Sequence, residues 1–345
     1  MKDFLSTPVD ACLFRMTDDT GMFQHGIMDV PDPQKGYTTD DNARALILLS
    51  LRYQREQSNK YLLLIRRYLS FLLYAEKDGW FRNFLPFDRH FVEERGSDDC
   101  YGRCLWALGS ISGASWLPMT IRTVASGLFD SVLPSLGLLK ALRAKAYASM
   151  GLYERGYQND KMLLSSLATD LGRAYDVSAT SGWQWFEPKL TYCNAMLPLS
   201  LLAAYRRTGE DRFLSIGLSS CDFLLQTTTN EKFFQPIGCK GWYEKGKEPA
   251  LYDQQPVEAS ETLLLCLFAH LITGKEAYYD IAHKCLNWYL GENIQGIPLV
   301  DSLEGGCRDG LCENGVNQNQ GAESILSWQL AWFWWRGYLN GEPIR

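Results

Sequence analysis

Two acidic pairs carry the first chemical signal: Asp40-Asp41 in GYTTDDNARAL and Asp98-Asp99 in GSDDCYGRCLWAL. Glycoside hydrolysis needs two carboxyls flanking the scissile bond, one as acid and one as base or nucleophile. Each pair follows a Thr or Ser able to cap a helix, so the carboxylates fall in a first turn, where the helix dipole alone would also favour them. Asp40 stands four residues before Arg44, and Asp99 four before Arg103, a spacing suited to ion pairs. Asp41 has Ala45 at that spacing, so no arginine accounts for it and it is the sharper acid–base candidate. Asp40 is expected to act mainly through Arg44. Pairing with arginine favours the ionised form of Asp99, which suits a base or an acceptor from a sugar hydroxyl.

A further carboxyl, Glu187, lies in SGWQWFEPKLTYCNA, beside Trp185 and Phe186. An apolar aromatic setting favours the protonated carboxyl that a general acid needs at neutral pH. The alternative is an ion pair to Lys189 or an arginine. The expected catalytic set is therefore Asp40, Asp41, Asp99 and Glu187. Substrate contacts are assigned to Trp80, Arg89, Asp98, Trp183, Trp185, Tyr192, Asn194, Tyr252, Gln254, Glu258 and Glu323. Trp80, Trp183 and Trp185 are expected to line one binding mouth as sugar platforms. Glu258 and Glu261 also read as ordinary first-turn acids. The histidines are His25, His90, His270 and His283, and only the first two fall in loops. No HxH, HExxH or paired CxxC spacing and no phosphate-binding glycine motif occurs, so neither a metal nor a nucleotide cofactor is expected.

These residues need elements to hold them. The 3.6-residue period predicts eleven helices: 39–57, 59–77, 98–112, 118–137, 139–155, 160–176, 194–208, 210–227, 258–273, 276–291 and 321–339. Short strands fit only the loops 79–92 and 233–243. Alternate helices open with a polar cluster after a long loop, and tight turns such as TGED and TGKE follow them. The unit is thus loop, inner helix, turn, outer helix, a helical-hairpin repeat. Five hairpins and a lone last helix fit an all-α closed toroid of six hairpins, forming one domain over 1–345. Residues 1–37 are expected to pack where the twelfth helix is missing. Residues 40–41, 98–99, 187, 258 and 323 should converge on one end.

Composition narrows the partners. The 345 residues are 46% hydrophobic and 21% charged, an ordinary globular balance that excludes disorder. A net charge of −6 with no basic block argues against nucleic acid. No apolar run suggests a membrane span or a signal peptide. Several of the ten cysteines sit in apolar helical runs, as reduced thiols do, so a cytoplasmic location is expected. A disulfide is conceivable only between Cys307 and Cys312.

The segments GYTTDDNARAL, GSDDCYGRCLWALG and WQWFEPKLTYCNAMLPLSLLAAY resemble the six-hairpin, (α/α)6-toroid glycosidase superfamily. More narrowly, DDTGMFQHGIMDVPDPQKGYTTDDNARAL (18–46) resembles bacterial domains found alone or fused behind glycosyltransferases. The resemblance implies a site in the toroid mouth, acidic catalysts and aromatic sugar platforms, with no substrate attached. Residues and resemblance together point to a glycoside hydrolase acting on a short oligosaccharide. The alternatives are a sugar epimerase or isomerase on the same toroid, whose chemistry leans on histidine bases, and a non-catalytic glycan-binding partner of a glycosyltransferase.

Overall fold

A computed structural model describes residues 6–342. The described chain is helical: α1 (Ala11–Arg15), α2 (Thr39–Glu56), α3 (Asn59–Ala75), α4 (Asp98–Gly113), α5 (Met119–Val132), α6 (Leu142–Arg155), α7 (Asp160–Ser178), α8 (Met196–Thr208), α9 (Asp211–Thr228), α10 (Pro256–Thr273), α11 (Glu276–Tyr289) and α12 (Ala322–Leu339). All eleven expected helices are present, with α1 added. The predicted 118–137 ends early: α5 stops at Val132 and continues as a tighter turn over Leu133–Leu138, where Pro134 cannot supply an N–H. Strands are two- or three-residue pairs confined to loops, such as Tyr37–Thr38 with Phe84–Leu85 and Lys189–Leu190 with Tyr243–Glu244.

Helices α2, α4, α6, α8, α10 and α12 pack side by side into a closed ring, with α3, α5, α7, α9 and α11 around it. This is the all-α toroid of hairpins that the repeat predicts. The sequence shows why each helix takes its layer. Inner α10 and α12 are apolar nearly all round and bury almost every residue. Outer α3 and α5 bury one stripe and expose the other. By length and composition α10 could cross a bilayer, but most of it is buried within the ring. Small residues let α4 and α6 approach closely: a Cβ at Gly109 would lie 2.1 Å from the Gly151 carbonyl oxygen.

The N-terminal segment bridges α12 and α2. Arg52 of α2 donates to the Pro8 carbonyl at 2.6 Å, Tyr61 of α3 to Asp10 at 2.8 Å and Gln329 of α12 to the Val9 carbonyl at 3.4 Å. Residues 1–5 of the expected packing segment, and 343–345 at the other end of the expected domain, lie outside the described residues. All ten cysteines are free, so Cys307 and Cys312 form no disulfide.

Candidate active site

One end of the ring gathers the N-termini of the inner helices, and side-chain contacts link several neighbours. Arg44 of α2 reaches Glu323 of α12 at 2.6 Å. Asp98 of α4 accepts from the Lys140 and Ala141 amides at 2.7 and 3.0 Å, at the entry to α6. Arg143 of α6 donates to Asn194, just before α8, at 3.3 Å, and Asn194 donates to Glu258 of α10 at 3.2 Å. Of the positions expected to converge, 40–41, 98–99, 258 and 323 each open an inner helix, whereas Glu187 sits in the loop before α8 and meets this end through Arg143 at 2.8 Å.

The open part of this end is a cavity of about 380 Å³ between α2, α12 and the loops 238–255 and 309–321. Asp40, Asp41, Arg44, Glu323, Asp309 and His25 line it, with Phe84 at its edge. Asp41 is nearly fully buried. Its two oxygens accept from Thr38 Oγ1 at 2.6 Å and Arg44 at 2.7 Å. Burial, and then the Asp40 charge, raise the Asp41 carboxyl well above the usual carboxylate range, against the pull of Arg44. The other terminal nitrogen of Arg44 holds Glu323, which remains more than a third exposed. One guanidinium thus holds a buried carboxyl and an open one on the same cavity wall. Burial also raises Asp309, which accepts from the Gly321 amide at 2.7 Å.

The opposite side of the ring, around α4, α6 and α8, links its polar groups to one another, with one oxygen of Asp99 left buried and unpartnered. Asp99 accepts from the Tyr192 hydroxyl at 2.6 Å. Arg143 pairs with Glu187 at 2.8 Å, and its guanidinium lies 4.8 Å from the Tyr192 ring centroid. Arg103 donates to Tyr147 at 2.6 Å and stands 3.7 Å from Glu261. Burial pushes both Glu258 and Glu261 up to about 7.

Several expectations need correction. Arg44 pairs closely with Asp41, three residues away, and only at 3.9 Å with Asp40, because its two terminal nitrogens are taken by Asp41 and Glu323. Arg103 does not pair with Asp99; it turns inward to Tyr147 and Glu261. Glu187 is held by Arg143 rather than enclosed by its aromatic neighbours. Trp80, Trp183 and Trp185 are buried, so none offers a sugar-stacking face. Trp80 stacks on Tyr101 at 4.2 Å, and Trp183 donates to the Glu187 carbonyl at 2.8 Å. Gln254 is spent on Trp288, whose indole donates to it at 3.0 Å. Asp98 is spent on the α6 entry. Arg89 lies outside the cavity and pairs with Asp19 at 2.6 Å. Tyr252 lies outside the cavity lining, although its neighbour Asp253 contributes to it.

Asp309 and Phe84 are groups that pattern reading passed over, and Glu261 reads from sequence only as an ordinary first-turn acid. Glu261 had a signal: it stands three residues after Glu258, on the same helical face. Asp309 sits in a loop and Phe84 in a two-residue strand, too short for any period to report direction.

The closed ring of six inner helices, with its polar mouth at their N-termini, defines an (α/α)6 toroid. Comparison with known proteins agrees on the fold. The structure is similar to a cellobiose 2-epimerase from Bacillus thermoamylovorans B4167, with a TM-score of 0.73, 11% identity and coverage of 95% of this chain and 96% of that one. It is similar to a D-mannose isomerase, with a TM-score of 0.73, 12% identity and coverage of 93% and 94%. A GH76A alpha-1,6-mannanase from Salegentibacter sp. HEL1_6 matches with a TM-score of 0.60, 11% identity and coverage of 94% and 95%. At such identities the likeness is one of fold. No family model and no curated protein matches the sequence.

Proposed function

We propose that the chain is a carbohydrate-active enzyme, a glycoside hydrolase acting on a short oligosaccharide bound in the α2–α12 cavity. Asp41 serves as the general acid, since a carboxyl raised by burial still carries a proton near neutral pH. Glu323, open to the cavity and held by the same guanidinium, serves as base or nucleophile. The observation that carries the reading is this pair of carboxyls on the two ends of Arg44. The cavity lies within the size range of small-ligand sites, and Phe84, 46% exposed at its edge, replaces the buried tryptophans as a stacking surface.

Epimerisation or isomerisation is the second reading. The toroids of the cellobiose 2-epimerase and the mannose isomerase favour it, as does His25 in the cavity lining. The test is incubation with a panel of mannosides, glucosides and galactosides, followed by sugar analysis. Released monosaccharide supports hydrolysis, and an isomer formed without cleavage selects the second reading. An unchanged panel with bound glycan points instead to the partner of a glycosyltransferase that the TDDNARAL resemblance suggests.

A further inference from the structure

Glu258 opens an inner helix and reads as a sugar contact, yet both its oxygens are taken by one segment of chain. Oε1 accepts from the Cys193 amide, and Oε2 accepts from Asn194 Nδ2 at 3.2 Å. That segment, residues 191–195, is neither helix nor strand. Cys193 holds a left-handed backbone at φ +49°, which a residue with a Cβ adopts only when its surroundings impose it. The same segment carries Tyr192, 39% exposed, toward the mouth, and Asn194 Oδ1 closes it by accepting from the Thr191 amide at 3.0 Å. Cys193 Sγ also lies 3.1 Å from an Arg103 nitrogen.

We propose that Glu258 is a positioning residue: its carboxylate clamps the 191–195 segment in its left-handed turn and so fixes Tyr192 and Asn194 at the rim of the mouth. A carboxylate accepts on both oxygens, whereas a protonated carboxyl must turn one into a donor. The Cys193 amide and the Asn194 amine are both donors, so protonation weakens whichever contact the added proton faces. The charged groups facing the clamp are known on each side. Glu261 lies on the same helix, Arg143 approaches from α6, and Arg103 from α4 and Glu323 from α12 act on Cys193. The Cys193 and Asn194 hydrogen bonds pull the Glu258 proton affinity down against the burial that raises it to about 7, so while the carboxyl stays buried its ionised form favours the clamp, which tightens as pH rises from about 6 to 8. The consequence for turnover rests on the hydrolase reading; the clamp does not.

The experiment is hydrogen exchange on the intact protein, read at residues 191–195 at pH 6 and 8 and corrected for intrinsic exchange. The wild type should show added protection at pH 8. Glu258→Gln places an amine against the Asn194 amine, so it should lose about tenfold of that protection and all of its pH dependence, while amides within α10 keep theirs. Asn194→Ala removes the same contact from the other side and should reproduce the loss if Glu258→Gln does not fold. Equal protection of 191–195 in the variants and wild type overturns the proposal, as does a pH-independent difference. A wild type that hydrolyses nothing in the panel counts against the proposed function alone.

Discussion

The two acidic pairs look alike in sequence and do opposite work. At 40–41 the arginine that follows turns to the cavity, holding Asp41 and Glu323 against open space. At 98–99 Asp98 accepts from two amides before α6 and Asp99 accepts from the Tyr192 hydroxyl through one oxygen, its other oxygen buried without a partner, while Arg103 faces inward. The difference lies in what each pair meets. Beside α2 stand an N-terminal segment and long loops that leave a gap; beside α4 stands α6, brought close by glycines. A carboxyl becomes available for chemistry where packing leaves space before it.

Asp41→Asn, which keeps the shape, should lower turnover on the order of 10²-fold, as loss of a general acid does. A sugar-release assay on the substrate found by the panel checks it. Glu323→Gln should cost about tenfold or more in the same assay, because a neutral amide cannot take the proton from water.

Ionisation offers a smaller and activity-independent effect. Glu261 is buried, and its folded proton affinity is raised from an ordinary 4.5 to about 7. The folded state therefore holds a proton that the unfolded chain releases between these values, so this group's contribution to stability falls as pH rises from 5 to 8. Glu261→Gln should escape that loss. Thermal melts should show the variant gaining about 1–2 kcal/mol on the wild type at pH 8, with the gap closing toward pH 5. Asp98→Ala should cost about 1 kcal/mol, as a lost helix cap does, and leave turnover unchanged. A melt paired with the sugar assay reads both.

The ring itself was legible, because periodicity and polar helix openings report layer and order directly. The convergence of 40–41, 98–99, 187, 258 and 323 followed from that order. Which acid is open and which is spent was not legible. Arg44 had two acids within reach, and only the packed geometry turned it to Asp41. The tryptophans misled for a related reason: a loop rich in large rings can fold onto its own core, as Trp183 and Trp185 do against Phe223. Phe84, a single ring in a short strand, carried no distinguishing pattern at all.

The central claim is that the first acidic pair is chemical and the second structural. Turnover of Asp41→Asn and Asp99→Asn, measured side by side on one substrate, tests it most directly. A loss on the order of 10²-fold is expected for Asp41→Asn and less than about tenfold for Asp99→Asn. Full activity in Asp41→Asn, or the larger loss in Asp99→Asn, would contradict it and move the chemistry to the α4–α8 side of the ring.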